Sequence, residues 1–381
     1  MISICLLGAS GSIGNQTLDV MKRHPLDFIL TAFSVGHQVN KIPSILKSFP
    51  SVRMICVQEE KAAEKYHKLF PHLHFFHGDQ GLTSLIKESQ ADMVVNALVG
   101  FVGLVPSITA LENNRVLALA NKESLVVGGE LIKNILASGK GKLIPIDSEH
   151  VALAKCLAVD SSNVKNLIIT ASGGSFRNLS RKELKTVTAE QALNHPTWKM
   201  GPKITIDSAS MMNKTFEIIE AHYLFNFPYK KIKVIIHSES MIHSMVQYND
   251  GTYRMDIGKP DMRVPIAYAL YQGLLPYKTY VCSDYHDFTS YNFSELSLKR
   301  FPVVKWAKKV IEEKGTYGTV LNASNEVAVS AFLKGKISFL DIENVVSSIM
   351  KNHINIINPT LVDILRVDQE IRQKALKFIE K

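Results

Sequence analysis

Short apolar runs alternate with helical patterns over the first 146 residues, and this alternation constrains the fold more than any other feature. The runs are Ile2–Leu7, Phe28–Val35, Met54–Val57, Met93–Ala97, Val116–Ala120 and Leu143–Ile146. Short buried runs separated by helices are typical of parallel strands joined by crossover helices. The sequence therefore predicts an α/β fold that begins with a parallel sheet covered by helices, the arrangement of a Rossmann-like domain.

Two further regions follow this first one. The second is predicted to be a central α/β catalytic domain, with a helix from about Ser208 to Phe225. Its predicted strands are Leu167–Thr170, Ile204–Ile206 and Val234–Ile236. The third is predicted to be a four-helix bundle of Val303–Glu313, Ala323–Phe332, Phe339–Met350 and Leu361–Ile379. The predicted domains are 1–147, 148–276 and 301–381, with a linker at 277–300.

Composition excludes several classes of protein. The formal charge of +9 is spread along the chain, and no stripe interleaves the basic residues with aromatic ones. An anionic small molecule therefore fits this charge as well as nucleic acid does. We do not expect nucleic acid as a partner. The uncharged stretch Met93–Leu111 is broken by Asn96, Gly100, Gly103 and Pro106, so it predicts a buried α/β unit and no membrane span. We expect a cytoplasmic protein, because the N-terminus reads as a strand and not as a signal peptide.

The four cysteines are far apart and form no C-x-x-C pair: Cys5, Cys56, Cys156 and Cys282. The sequence therefore predicts reduced thiols, without a disulfide framework or a zinc site.

The segment Gly8-Ala9-Ser10-Gly11-Ser12-Ile13-Gly14 follows the first predicted strand and opens a helix. Glycines allow close approach of a pyrophosphate, and the helix N-terminus offers free N–H groups to it. The spacing differs from the commoner G-x-G-x-x-G, and a plain tight turn is the alternative.

The second strand ends in Ser34-Val35-Gly36-His37-Gln38, without the acid that usually holds the 2′-hydroxyl of NAD. Because no acid repels a 2′-phosphate there, NADP is favoured. Ser34, His37, Gln38 and Lys41 are the candidate contacts.

Two polar segments follow predicted strands, at the edge where open α/β sheets bind ligands. Asn121-Lys122-Glu123 is one, and a solvated helix start is its alternative. Asp147-Ser148-Glu149 is the other, and its carboxylates suit Mg²⁺ or Mn²⁺ unless the segment caps the next helix.

A third candidate metal ligand lies in the helix predicted from about Ser208 to Phe225. Asn213 and Glu217 are four residues apart and share a face, and Lys214 lies three residues before Glu217. An ordinary salt bridge is the alternative, and Glu220 competes for the ligand role.

Loops supply the remaining candidates. Ser172-Gly173-Gly174 could form an anion-binding nest, and His195 to Gly201, with Trp198, suits a lid. The histidine-rich stretch Tyr66–His77 is interpreted as a solvated loop, since it has no acidic or thiolate partner at ligand spacing.

Taken together, these motifs occur in the order found in the 1-deoxy-D-xylulose 5-phosphate reductoisomerase family, which the whole chain resembles. The motifs are GASGSIG, ANKESLV, PIDSEH, ASGGSFR, HPTWKMG, DSASMMNKTFEIIEA, KPDMRVPIAYA and LNASNEVAV.

The resemblance implies an NADPH-dependent oxidoreductase with one Mg²⁺, Mn²⁺ or Co²⁺ held by Asp147, Glu149 and Glu217. It implies NADPH contacts from Gly8, Ala9, Ser10, Gly11, Ser12, Ile13, Gly36, His37, Gln38, Asn121, Glu123 and Gly201. It implies substrate contacts from Lys122, Ser148, Glu149, Ser172, His195, Trp198, Ser208, Asn213, Lys214 and Glu217. Lys122 and the three carboxylates would be the catalytic residues.

The implied reaction converts 1-deoxy-D-xylulose 5-phosphate, a small sugar phosphate, to 2-C-methyl-D-erythritol 4-phosphate in non-mevalonate isoprenoid synthesis. The resemblance also implies a homodimer. The sequence departs from the family pattern in two places. His37 and Gln38 replace a basic residue and Asn, and Ser175 replaces a proline.

Two rival functions use the same glycine-rich turn. A simple NADP dehydrogenase needs no metal for hydride transfer, so Asp147, Glu149 and Glu217 discriminate against it. A noncatalytic dinucleotide sensor has no use for acids, a phosphate nest and a lid.

Overall fold

The protein is described by a computed structural model that covers residues 1–274, 280–281, 284–287 and 290–380. Cys282 and part of the predicted linker lie outside these residues. The described cysteines Cys5, Cys56 and Cys156 are buried free thiols. In the described part of the chain, no helix combines the length and apolar character that a bilayer crossing needs.

A seven-stranded parallel sheet has the order β4-β3-β2-β1-β5-β6-β7. Its strands are β1 (Ile2–Leu7), β2 (Phe28–Gly36), β3 (Met54–Val57), β4 (His74–His77), β5 (Met93–Asn96), β6 (Val116–Leu119) and β7 (Lys142–Pro145). From β1 the strand order runs outward in both directions, to β2 on one side and to β5 on the other. Open α/β sheets bind ligands at such a switch point, beyond the carboxyl ends of the strands. The six predicted strands of this region are confirmed.

A mixed five-stranded sheet has the order β11-β10-β8-β9-β12. Its strands are β8 (Val164–Ala171), β9 (Ile232–Ile236), β10 (Ile242–Tyr248), β11 (Tyr253–Ile257) and β12 (Ser294–Glu295). Only β8 and β9 pair in parallel, and the other pairs are antiparallel.

Helices connect and cover the strands. They are α1 (Ser12–Arg23), α2 (Ile42–Ser48), α3 (Glu60–Leu69), α4 (Gly78–Ser89), α5 (Leu104–Glu112), α6 (Glu123–Ala137), α7 (Ser148–Val159), α8 (Ala189–Leu193), α9 (Pro202–Ser210), α10 (Met212–Phe225), α11 (Arg263–Leu270), α12 (Trp306–Glu313), α13 (Tyr317–Leu333), α14 (Asp341–Lys351) and α15 (Leu361–Ile379).

Two compact units share these elements. The first comprises 1–124, 131–147 and 261–280, and the second comprises 125–130, 148–260 and 281–381. The first has β1 at its centre, with Ile4 and Leu6 fully buried. The second has a continuous apolar core from β8 and α10 to α13 and α15.

Three sequence-based predictions of local structure were wrong. Ile204–Ile206 is not a strand but part of α9, which begins at Pro202, a residue suited to the first turn of a helix. The helix predicted from Ser208 is two helices, separated at Met211 with a left-handed φ of 65°. His74–His77, assigned to a loop, forms β4 at the edge of the parallel sheet.

Candidate active site

The glycine-rich turn joins β1 to α1 and leaves no room for a Cβ at Gly8 or Gly14. Gly8 has φ of +79°, and a Cβ there would lie 2.6 Å from the Ala97 carbonyl oxygen. A Cβ on Gly14 would lie 2.2 Å from the Gly8 oxygen, so the turn and the helix are in backbone contact. Ser12 and Ile13 open α1, and the free N–H groups of that first turn can receive a phosphate.

The same turn is fastened to the end of β2. The Gly8 N–H donates to Ser34 Oγ at 2.9 Å, the Ala9 N–H donates to the Ser34 carbonyl, and Ser10 Oγ donates to the Val35 carbonyl at 3.1 Å. The buried Ser34 hydroxyl is therefore part of the turn.

Beyond β2, Gly36 has φ of +56°, and His37, Gln38 and Lys41 are exposed. His37 Nδ1 lies 3.4 Å from Glu59 Oε1, and both side chains are solvent-accessible. Sequence reasoning missed this carboxylate, because Glu59 follows the neighbouring strand β3 and no local signal links it to β2.

NADPH is expected to be preferred to NADH by at least about tenfold in kcat/KM, because a charge-assisted contact to the 2′-phosphate is absent with NADH. His37→Ala and Lys41→Ala distinguish the two basic candidates, since only the true contact weakens NADPH while leaving NADH unchanged. Equal kcat/KM for the two cofactors in the wild-type protein contradicts the prediction.

Asn121, after β6, is buried and supports its surroundings through its side chain. Its Nδ2 donates to the carbonyls of Leu98 and Gly100 at 3.0 and 2.9 Å, and to Glu123 Oε2 at 3.2 Å. Its Oδ1 accepts the Ser124 N–H at 3.0 Å. The amide of Asn121 therefore orders the loop after β5 at the ligand edge of the sheet.

Lys122 is nearly buried, and its Nζ lies 2.8 Å from Asp147 Oδ2. Asp147 follows β7, and Lys122 follows β6, the neighbouring strand in the sheet. This charge-assisted contact has little competing solvent, so it fixes the position of the Asp147 carboxylate.

Asp147, Glu149 and Glu217 each offer a carboxylate oxygen, and these three oxygens lie within 4.8 Å of one another. Glu149 lies in the first turn of α7, and Glu217 lies in α10 and is fully buried. Among the residues that the structure describes, no other group of three acidic, histidine or cysteine side chains converges in this way.

Lys214 joins two of these carboxylates. Its Nζ lies 2.8 Å from Glu149 Oε1 and 2.5 Å from Glu217 Oε2, and it donates to the Thr170 carbonyl at 2.6 Å. Burial alone lowers the pKa of Lys214, but the two carboxylates outweigh that effect and raise it. The salt bridge offered as an alternative to a metal role is thus present at the same carboxylates.

The remaining carboxylate oxygens are also hydrogen-bonded. Ser148 Oγ donates to Glu149 Oε2, and Asn213 Nδ2 donates to Glu217 Oε1, both at 2.5 Å. Glu220 is outside the cluster, because its carboxylate lies 3.3 Å from Nδ1 of the buried His150.

Two glycines in the loop after β8 have a left-handed backbone, with φ of +88° at Gly173 and +70° at Gly174. A Cβ on Gly174 would lie 2.6 Å from the Ser208 carbonyl oxygen, so the loop packs directly on α9. Ser172 Oγ lies 3.2 Å from His195 Nε2.

His195 is held in one tautomer. Its Nδ1 accepts the N–H groups of Thr197 and Trp198 at 3.2 and 3.0 Å, so the neutral ring carries its proton on Nε2. Burial, with a smaller contribution from Arg177, lowers the pKa of His195 to about 4. The indole of Trp198 packs at a tilt against the His243 ring, with centroids 6.2 Å apart.

A glycine-rich turn on a parallel sheet, together with a carboxylate cluster, is the arrangement expected of a metal-dependent, NADP-linked oxidoreductase. Three family models match the chain: 1-deoxy-D-xylulose 5-phosphate reductoisomerase over residues 4–129, its C-terminal domain over 143–225, and a second DXP reductoisomerase C-terminal domain over 257–374. The chain belongs to the 1-deoxy-D-xylulose 5-phosphate reductoisomerase family.

Relatives in this family are similar along their entire length. A 1-deoxy-D-xylulose 5-phosphate reductoisomerase 2 of Bacillus thuringiensis subsp. konkukian is 43% identical, covering 100% of both chains. The Bacillus pumilus reductoisomerase is 45% identical, covering 97% of both.

Solved structures agree. A DOX-P reductoisomerase in complex with NADPH, fosmidomycin and magnesium is 34% identical, with a TM-score of 0.93, covering 100% of this chain and 98% of that one. The Zymomonas mobilis enzyme in complex with NADPH is 34% identical, with a TM-score of 0.91, covering 100% and 99%. The chain is accordingly an NADP-dependent oxidoreductase that converts 1-deoxy-D-xylulose 5-phosphate to 2-C-methyl-D-erythritol 4-phosphate with NADPH and a divalent metal.

Proposed function

We propose that Asp147, Glu149 and Glu217 hold the divalent metal, and the convergence of their oxygens is the observation that carries this proposal. The donors fit, because hard carboxylate oxygens are the ligands that Mg²⁺ and Mn²⁺ prefer. With all groups ionised, the three carboxylates and the ammonium groups of Lys122 and Lys214 leave one negative charge uncompensated. A bound cation polarises a carbonyl and stabilises negative charge on oxygen.

Lys122 and Lys214 have different tasks in this proposal. Lys122 fixes Asp147 and offers ammonium protons to a substrate oxygen that lies beside it. Lys214 holds Glu149 and Glu217 in one orientation, and Asn213 fixes the second oxygen of Glu217. Side chains ordered in this way before substrate arrives need no rearrangement as charge develops.

Ser172, His195 and Ser208 are proposed to bind the phosphate of the substrate. Ser172 Oγ accepts the Gly174 N–H and the proton of His195 Nε2, each at 3.2 Å, so its own hydroxyl proton remains available to a phosphate oxygen. The N–H group of Gly173, in the same positive-φ turn, is proposed as a further donor to this anion.

The nicotinamide cofactor is proposed to bind along the carboxyl edge of the parallel sheet. The turn Gly8–Ile13 and the first turn of α1 would hold its pyrophosphate, and Gly36, His37 and Gln38 its 2′-phosphate. Asn121, Glu123 and Gly201, the N-cap residue of α9, complete the proposed contacts. NADPH supplies the hydride for the reduction.

One assay tests the proposed metal role. NADPH oxidation is followed in the presence of 1-deoxy-D-xylulose 5-phosphate, with EDTA and then with added Mg²⁺ or Mn²⁺. We expect activity to disappear with EDTA and to return with metal. Activity that survives complete chelation rejects the metal role.

The neutral state of His195 gives a pH prediction. Its imidazole resonances are expected to titrate near pH 4 and to stay constant from about pH 5.5 to 8. Since the folded pKa lies below the unfolded value, stability attributable to His195 is present above pH 6.5 and is lost as pH falls toward 4. NMR assignment by comparison with His195→Asn checks this, and a midpoint near 6.5 contradicts it.

Trp198 is proposed to close over bound ligand. We expect its fluorescence to shift to shorter wavelength when fosmidomycin binds, because closure removes water from the indole. The measurement uses a Trp306→Phe background, which leaves Trp198 as the remaining tryptophan. An unchanged spectrum at saturation contradicts a lid role.

Assembly and location are proposed on separate grounds. β11 is an edge strand whose Tyr253, Met255 and Ile257 side chains are 48%, 40% and 40% exposed on one face. An edge strand with exposed apolar side chains favours association with a second copy, so we propose a homodimer. Sedimentation of wild type and Met255→Lys tests the interface.

Buried free thiols in the described residues support a cytoplasmic location.

The finer domain description is also a proposal. We propose that 1–147 binds the cofactor, 148–276 carries the metal and substrate site, 277–300 is a linker, and 301–381 forms a helical bundle. Residues 261–276 of the second of these segments belong to the first compact unit. Packing of α13 against α12, α14 and α15 supports the last of these.

A further inference from the structure

Helix α13 carries a row of polar side chains inside the core of its unit. Thr319, Asn322 and Asn325 are three residues apart, share a face of the helix and are fully buried. The two asparagines belong to the motif LNASNEVAV, for which the proposed site has no use. Burying such groups costs free energy unless they are hydrogen-bonded, so the partners of the two asparagine Nδ2 groups show what these side chains support.

Asn325 reaches outside its own helix. Its Nδ2 donates to Asp207 Oδ1 of α9 at 2.8 Å, a hydrogen bond that spans 118 residues of sequence. Asp207 is 2% exposed, and its Oδ2 lies 2.8 Å from Lys203 Nζ. The carboxylate thus joins α13 to α9 through charge-assisted contacts with little competing solvent.

Helix α9 carries the proposed phosphate contact, since Ser208 is the next residue after Asp207. The Ser208 carbonyl also supports the anion loop, because a Cβ on Gly174 would lie 2.6 Å from it. The chain then passes through Met211 into α10, which bears Glu217. A displacement of α9 would therefore move Ser208 and the loop together.

We propose that Asn325 and Asp207 are positioning residues for substrate binding. They hold α9 in the register that aims Ser208 and the Ser172–Gly174 loop at the phosphate of the substrate. This inference rests on the proposed phosphate contacts. Neither side chain is assigned a contact with substrate, metal or NADPH.

The test compares two buried asparagines of α13. Asn325→Ala and Asn322→Ala each remove one amide, but Asn322 donates within its own helix, to Glu326 Oε1 at 2.9 Å. We expect both to lower the unfolding temperature. Only Asn325→Ala is expected to raise KM for 1-deoxy-D-xylulose 5-phosphate, by about tenfold, with kcat and the NADPH Kd little changed. Equal KM changes in the two variants overturn the proposal.

An exchange of partners keeps the test decisive if Asn325→Ala does not fold. Asn325→Asp alone places two carboxylates in contact and is expected to raise KM for the sugar phosphate. Asp207→Asn combined with Asn325→Asp restores one amide and one carboxylate at this pair of positions, near Lys203. We expect the double variant to recover KM to within about threefold of wild type. A double variant that misfolds or keeps a high KM overturns the pairing. An unchanged KM in Ser208→Ala would instead reject the proposed phosphate contact on which this inference rests.

Discussion

Glu217→Gln is expected to lower turnover of 1-deoxy-D-xylulose 5-phosphate by roughly a hundred- to a thousandfold. The change keeps the shape of the side chain but removes one of three charges from the carboxylate cluster. It also removes the carboxylate that Lys214 contacts at 2.5 Å. The metal concentration for half-maximal activity should rise, and the NADPH Kd should stay nearly constant. Steady-state kinetics across a metal titration and NADPH fluorescence measure the two effects.

Glu220→Gln, one helical turn further, is the control for loss of a buried carboxylate outside the cluster. Glu220 is 1% exposed and lies against His150, so its substitution is expected to lower the unfolding temperature without changing metal dependence. Glu370→Gln, on the exposed side of α15, is the neutral surface control. If Glu220→Gln weakens metal dependence more than Glu217→Gln does, the ligand assignment is wrong.

Gly14→Ala is expected to weaken NADPH binding by about a hundredfold or more, because the added methyl group would lie 2.2 Å from the Gly8 carbonyl oxygen and 2.6 Å from Ala9 Cα. Both neighbours are backbone atoms, so no side-chain rotation relieves the contact. The start of α1 must move away from the turn, which separates the helix N–H groups from the pyrophosphate position. Fluorescence titration with NADPH, well below the unfolding temperature, measures the loss.

Gly258→Ala is the matched glycine substitution, since a Cβ there meets no atom within 4 Å. Its NADPH affinity and unfolding temperature should equal those of the wild type. Retention of wild-type NADPH affinity in Gly14→Ala would show that the turn tolerates displacement.

Local pattern was sufficient for the elements of the parallel sheet. The runs at Ile2–Leu7 and Val116–Ala120 are confirmed as strands within one residue, because a strand buried on both faces needs uninterrupted apolar residues. The same pattern misled at Ile204–Ile206. β-branched residues favour strands weakly, and Pro202 together with packing in the core of the second unit overrode that preference.

The chemical types at the site were also determined locally, since Asp147 and Glu149 lie two residues apart and Lys214 lies three residues before Glu217. What only the tertiary structure decided is which side chains from distant segments meet. It placed the Glu217 carboxylate in the acidic cluster and the Glu220 carboxylate against His150, two outcomes that helical spacing leaves equal. The pairing of Asn325 with Asp207 depends in the same way on how α13 packs against α9, because contacts across more than a hundred residues are set by the shared burial of helix faces and not by local spacing.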